Sequence, residues 1–169
     1  MNIVLTGFMA SGKSVVARSI SDLSMYKFID TDEMIIKAAG KSIQKIFDED
    51  GEPAFRRVEH EVICRVAQLD GYVIATGGGV PLNKDNIKEL RKNGVIVNLA
   101  PSFENIAQRL DRARSTRPLL QNQSIDEIKK RFDDRQPFYA DCDIRIEVTN
   151  DMPPRFYAEQ ILGMIKEKV

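Results

Sequence analysis

At 169 residues the chain has the length of one ordinary domain, enough to bury a core without disulfides or a structural metal. Lys plus Arg number 25 and Asp plus Glu also number 25, so no global field favours nucleic acid or an acidic membrane surface, and anion recognition has to be local. Cys64 and Cys142 lack metal-site spacing, no charged-then-apolar leader precedes the first apolar run, and no run approaches the roughly 20 residues that span a bilayer. These features predict a cytoplasmic monomer with reduced thiols and neither nucleic-acid nor membrane partners.

Short apolar runs at 3–6, 28–30, 72–76, 95–99 and 144–148 read as strands. Helix-compatible periodicity follows Gly12, Thr31, Pro53, Asn83, Ser102, Ser124 and Pro154, several with Ser, Thr or Asn at the cap position. This βαβ rhythm predicts a parallel sheet covered on both faces, with ligands at the carboxyl ends of its strands.

The first run opens directly into Gly7-Phe8-Met9-Ala10-Ser11-Gly12-Lys13-Ser14, a full GxxxxGK[ST] match between strand and helix. Such a loop turns backbone N–H groups and a helix dipole toward phosphates, with Lys13 reaching the β and γ phosphates and Ser14 ligating Mg²⁺. A Gly-containing turn without a nucleotide is the weaker alternative. The second run ends in Asp30-Thr31-Asp32. One carboxylate can serve the metal's water shell while the other orients an attacking hydroxyl, or the pair can simply cap a helix.

Ile43, Ile46 and Phe47 read as an apolar turn before Gly51, and a new helix then carries Arg56, Glu59 and His60. Arg56 can present its planar fork to a substrate carboxylate or pair with Glu59 three residues on. His60 has no metal-ligand partner nearby in sequence and reads as structural. The third run ends in Thr76-Gly77-Gly78-Gly79, which clears side chains from beside the expected γ-phosphate and frees backbone N–H groups for a substrate; a flexible turn before Pro81 is the alternative. Residues 113–124, with Arg114 and Arg117, read as a mobile loop, and Arg135 and Tyr139 stand one helical turn apart further on.

Together the P-loop, Asp30-Thr31-Asp32, Gly51-Glu52-x-x-Phe55-Arg56, Thr76 to Gly79, Arg117-Pro118-Leu119-Leu120 and Arg135-x-x-x-Tyr139 resemble the shikimate kinase family from Ile3 to about the last helix. The resemblance implies a three-layer α/β/α P-loop kinase fold, with a five-stranded parallel sheet in order 2-3-1-4-5. It implies one domain over residues 1–169, with a substrate-binding segment at about 32–61 and a mobile lid at about 112–124. The implied reaction is transfer from ATP, with Mg²⁺, to the 3-hydroxyl of shikimate in aromatic amino acid (chorismate) biosynthesis. Another small-molecule P-loop kinase, such as a gluconate kinase, and a non-catalytic ATP-binding module are the alternatives.

Carried over by resemblance, Lys13, Asp32 and Arg117 are catalytic, and Asp32, Arg56, Gly77, Gly78, Gly79 and Arg135 hold shikimate. Gly7, Ala10, Ser11, Gly12, Lys13, Ser14 and Val15 hold ATP together with Arg109, Arg117 and Pro153. Ser14 and, through water, Asp30 serve Mg²⁺. Read from the residues themselves, Phe47, Phe55, Leu119 and Leu120 can flank the acceptor pocket, although core packing explains such residues more often. Ala10 departs from the family's usual glycine, an added methyl group that the loop should tolerate.

Overall fold

A computed structural model describes residues 1–113 and 123–168. Five parallel strands, β1 (Asn2–Thr6), β2 (Lys27–Asp30), β3 (Tyr72–Ala75), β4 (Gly94–Pro101) and β5 (Ile144–Val148), form a sheet in the order β2-β3-β1-β4-β5. Between and after them lie α1 (Lys13–Leu23), α2 (Thr31–Ala39), α3 (Ile43–Asp50), α4 (Glu52–Val66), a 3₁₀ turn (Val80–Leu82) and α5 (Lys84–Arg91). The remaining helices are α6 (Phe103–Ala113), α7 (Ile125–Tyr139) and α8 (Pro154–Lys168). The α/β fold and the strand order match the expectation.

The central strand explains the layering. All five residues of β1 are buried, and its alternating side chains feed two separate cores, as the two-residue period of a strand requires. Ile3 and Leu5 join Val16, Ala17, Ile20, Ala158 and Ile161 of α1 and α8 on one face. Val4 joins Ile35, Phe55, Val62, Ile63 and Ile87 of α2, α4 and α5 on the other. A sheet covered on both sides therefore reads as continuous apolar runs. A third cluster of Phe8, Ile106, Leu110, Ile128 and Tyr139 fixes α6 and α7 to the loop after β1.

The other strands agree with the sequence reading to within one residue, and two elements differ further. Residues 43–50 form α3 instead of an apolar turn, because the Ser42 hydroxyl accepts from Lys45 N–H as an N-cap and Ile46 is buried. β4 runs from Gly94 to Pro101, longer than 95–99, since its last residues pair with β5 through Pro101↔Val148. No helix among the described residues is long and apolar enough to cross a membrane.

Candidate active site

Because every strand is parallel, Thr6, Asp30, Ala75 and Val148 end on one edge of the sheet, where the loops after them can meet. The first of these loops needs its glycine. A Cβ on Gly7, whose φ is +153°, would lie 2.7 Å from Ser11 Oγ and 2.8 Å from the Leu99 carbonyl oxygen. Gly12, at φ 90°, occupies the N-cap of α1 with no side-chain cap, so the first N–H groups of that helix stay directed into the loop. Ala10 also lies in the left-handed region, at φ 60°. The departure from glycine is therefore a matter of backbone conformation, not of the added bulk expected from the sequence.

Lys13 turns into this hollow and donates from Nζ to the Gly7 carbonyl at 2.6 Å and the Phe8 carbonyl at 2.9 Å. Burial pushes its ammonium down to about 8, Arg135 adds to the depression, and Asp32 and Asp30 oppose it. Beside it the Ser14 hydroxyl donates to Asp30 Oδ2 at 2.9 Å. Asp30 Oδ1 meanwhile accepts from Asp32 N–H at 2.9 Å and Glu33 N–H at 3.3 Å, capping α2. One oxygen thus serves as the cap, and the other accepts from the Ser14 hydroxyl.

A cleft of about 550 Å³ runs from the Met9–Val16 stretch past Asp30, Asp32, Gly77 and Gly78 to Arg109, Val148, Met152, Pro154 and Tyr157. Arg109 spans its far end, donating from Nη1 to the Ala10 carbonyl and from Nε to Asn150 Oδ1, each at 2.8 Å. Partial burial holds its guanidinium below the usual arginine range. Val15 lines the same cleft, 51 % exposed. Met152 and Pro154, either side of Pro153, line it, whereas Pro153 does not stand among the lining residues.

The glycine run gathers the other half. A Cβ on Gly77 would meet Asp32 Oδ1 at 2.7 Å. One on Gly78 would lie 3.6 Å from both Arg135 Nη1 and Met9 N, and one on Gly79 would meet Arg56 Nη2 at 2.7 Å. Asp32 of α2 and Arg56 of α4 therefore occupy space that side chains at 77 and 79 would need, and Arg135 of α7 stands at ordinary contact distance from Gly78, beside the P-loop. Gly77 N–H itself donates to Thr31 Oγ1 at 3.1 Å, so at this residue the cleared space, and not a free N–H, is what glycine provides.

Arg56 shows one of its two sequence readings, the pair with Glu59. Its Nη1 donates to Glu59 Oε1 at 2.9 Å, but Glu59 is 2 % exposed, so this is a buried support and not a solvated surface pair. Burial raises the Glu59 carboxyl, Asp32 raises it further, and Arg56 and Arg135 pull it back. Asp32 is raised first by burial and then by Asp30, against Lys13 and Arg56. Sequence reasoning left Glu59 and Thr31 outside the site; their spacing was visible, but their burial beneath Arg56 and Gly77 was not. Phe55 is buried, with its ring centroid 4.7 Å from that of Phe47. Arg114, Arg117, Leu119 and Leu120 lie outside the described residues.

Known proteins resemble this chain in sequence and in structure. The Shikimate kinase family profile matches residues 9–166. A shikimate kinase of Caldicellulosiruptor bescii is 46 % identical over 164 residues, covering 96 % of this chain and 94 % of that protein. One from Caldanaerobacter subterraneus subsp. tengcongensis is 40 % identical over 168 residues, covering 99 % and 98 %. The solved structure of shikimate kinase from Acinetobacter baumannii in complex with shikimate superposes with a TM-score of 0.88 at 32 % identity, covering 99 % of this chain and 93 % of that one. With matches this long in both sequence and structure, built on a P-loop facing a glycine run ringed by Asp32, Arg56 and Arg135, the chain belongs to the shikimate kinase family.

Proposed function

We propose that the protein transfers the γ-phosphoryl group of ATP to the 3-hydroxyl of shikimate, giving ADP and shikimate 3-phosphate. The observation that carries this reading is the meeting of Asp32, Arg135 and Arg56 on three consecutive glycines next to Lys13. Two guanidinium groups suit one planar carboxylate. A buried carboxylate suits a hydroxyl, and the lysine and N–H groups of the P-loop suit phosphates.

In this reading the shikimate carboxylate rests on Arg56 and Arg135, with Glu59 holding Arg56 in place. Gly77, Gly78 and Gly79 line the acceptor ring, and Asp32 accepts a hydrogen bond from the attacking hydroxyl. The hydroxyl oxygen bonds to the γ phosphorus as the bond to the bridging oxygen of ADP breaks. The hydroxyl proton passes to Asp32, whose raised carboxyl brings it closer to a base that works near neutrality. Lys13 leaves its loop carbonyls for the β and γ phosphates, where positioning and charge neutralisation do most of the work of phosphoryl transfer.

Gly7, Ala10, Ser11, Gly12 and Val15 form the rest of the nucleotide contact, with Arg109 and the 150–154 segment, including Pro153, around the adenine. Ser14 Oγ and Asp30 Oδ2, 2.9 Å apart, are hard oxygen donors of the kind Mg²⁺ prefers when substrate phosphates supply its other ligands. When bound, Mg²⁺ neutralises charge on those phosphates. Arg117 serves as the cation brought in by a lid over about 112–124, and residues 32–61 as the acceptor-binding segment of one kinase domain. We further place the enzyme in the cytoplasm as a monomer, without nucleic-acid or membrane partners, in keeping with its free cysteines.

An ADP-release assay with ATP and Mg²⁺ tests the reading. Turnover that requires shikimate and is absent with gluconate or without an acceptor is the expected result. ATP binding without turnover on shikimate would overturn it.

A further inference from the structure

Asp32, Arg135 and Arg56 are useful only while the glycine run stays in place, yet three glycines in succession form the least self-ordering backbone a chain can have. Two buried side chains from different helices grip it. From α7, the Tyr139 hydroxyl, on a residue 3 % exposed, donates to the Gly78 carbonyl at 2.7 Å. From α5, Asn86, 1 % exposed, donates from Nδ2 to the Val80 carbonyl at 3.0 Å. Between the two grips, Val80 N–H closes back on the Gly77 carbonyl and Leu82 N–H on the Gly79 carbonyl, each at 3.1 Å.

Asn86 is itself held. With its amide nitrogen committed to Val80, its Oδ1 can only accept, so His60 Nδ1, 2.6 Å away, is the donor. The imidazole Nε2 then faces Cys64 Sγ at 3.5 Å as an acceptor. Burial pushes the Tyr139 phenol up to about 12, so its hydroxyl keeps the proton it donates throughout the working range of an enzyme.

We infer that Tyr139 and the His60–Asn86 pair are positioning residues for the acceptor site, a two-sided latch that fixes the carbonyls of Gly78 and Val80 and so the places of Asp32, Arg135 and Arg56. The latch acts on the acceptor half: the polar atoms of both arms bond to the backbone of residues 78–80, and Tyr139→Phe spares the ring that packs in the cluster around Phe8. It rests on the proposed function for its substrate, not for its existence.

The test compares wild type with Tyr139→Phe, His60→Leu and His60→Asn, the last restoring an amide N–H near the position of Nδ1. Each is measured for KM of shikimate, KM of ATP and hydrogen exchange over residues 76–82. Tyr139→Phe should raise the shikimate KM and the exchange rate by about tenfold each, the upper range for one buried neutral hydrogen bond, with the ATP KM within about twofold. His60→Leu should act the same way by about threefold, and His60→Asn should recover most of that loss. An unchanged shikimate KM, or parallel rises for both substrates, overturns the latch. If wild type gives no turnover on shikimate, the proposed activity fails; exchange then judges the latch alone, and unaltered exchange over 76–82 overturns it.

Discussion

The nucleotide half and the acceptor half of this cleft are built on opposite plans. The first is nearly contiguous: Gly7 to Ser14 supply the hollow, the lysine and the hydroxyl within one strand–loop–helix. The second is assembled from four distant segments, with Asp32, Arg56 and Arg135 meeting at residues 77–79 only because α2, α4 and α7 pack around the end of β3. A contiguous site inherits its geometry from local backbone, whereas an assembled one depends on the whole fold and on the small contacts that hold each piece. Changes in the acceptor half should therefore separate the two substrates, while the nucleotide half continues to work.

Asp32→Asn should give the largest effect. It keeps the shape but removes the proton acceptor, and kcat should fall by about 10³-fold, the middle of the range for positioned acid–base groups, with ATP affinity nearly unchanged. Its stability should move in the other direction. The Asp32 carboxyl is raised above its ordinary 3.8, so between 3.8 and the raised value the folded state binds more protons than the unfolded chain, and stability falls as pH rises through that window. The asparagine variant should accordingly melt higher than wild type at neutral pH and lose that advantage in acid. Wild-type activity falls as pH drops through the same raised value. A variant less stable than wild type at pH 7 would contradict the sign.

Arg135→Ala comes next, since it removes a charge-assisted contact to a carboxylate and leaves the P-loop intact. Shikimate affinity should drop about 100-fold by calorimetry, with ATP within about threefold. Arg56→Ala should lose at least as much, because it also leaves Glu59 buried without its cation. Equal losses for both ligands would show that the two halves are not separable in the way their construction implies.

Gly79→Ala probes the assembled half without replacing a charged group. The new Cβ would lie 2.8 Å from Arg56 Cζ and 2.7 Å from Nη2, so the guanidinium must swing away, a cheap move for the far end of a long side chain. Gly79 has φ −92° and ψ −2°, which alanine adopts without strain. The expected outcome is a melting temperature within about 2 °C of wild type and a shikimate KM raised about tenfold. Unaltered KM would mean that Arg56 is not held where the acceptor binds.

The same contrast explains what could be read from the sequence. The layering and the whole P-loop were legible, because apolar runs and a contiguous motif carry their own geometry, while the strand order came from the family resemblance. Asp30 was legible as either cap or metal-shell ligand; packing puts the cap on one oxygen and sets the other 2.9 Å from Ser14 Oγ. The pair Arg56 and Glu59 was visible by spacing, yet only packing of α4 against α2 and β3 decides that the pair is buried beneath the glycine run. Residues 43–50 passed for a turn because α3 has only two turns and one buried residue, Ile46. Pro153 was carried over by resemblance, and its neighbours Met152 and Pro154 are the residues that line the cleft.

The smallest effect belongs to the contiguous half and tests how much strain a local motif tolerates. Ala10 holds φ 60° within the P-loop, and its carbonyl accepts from Arg109 Nη1 at 2.8 Å, an interaction that does not involve the methyl group. Left-handed backbone costs a non-glycine residue about 1 kcal/mol or somewhat more, while glycine gives back part of that through the greater entropy of its unfolded chain. Ala10→Gly should therefore stabilise the protein by at most about 1 kcal/mol, a rise in melting temperature of roughly 1–4 °C for a domain of this size. Both KM values should stay within about twofold, since the carbonyl contact to Arg109 is backbone and survives the change. A lower melting temperature would mean that the methyl group packs favourably against the cluster around Phe8, where Ala10 is half-buried, by more than the backbone strain it imposes.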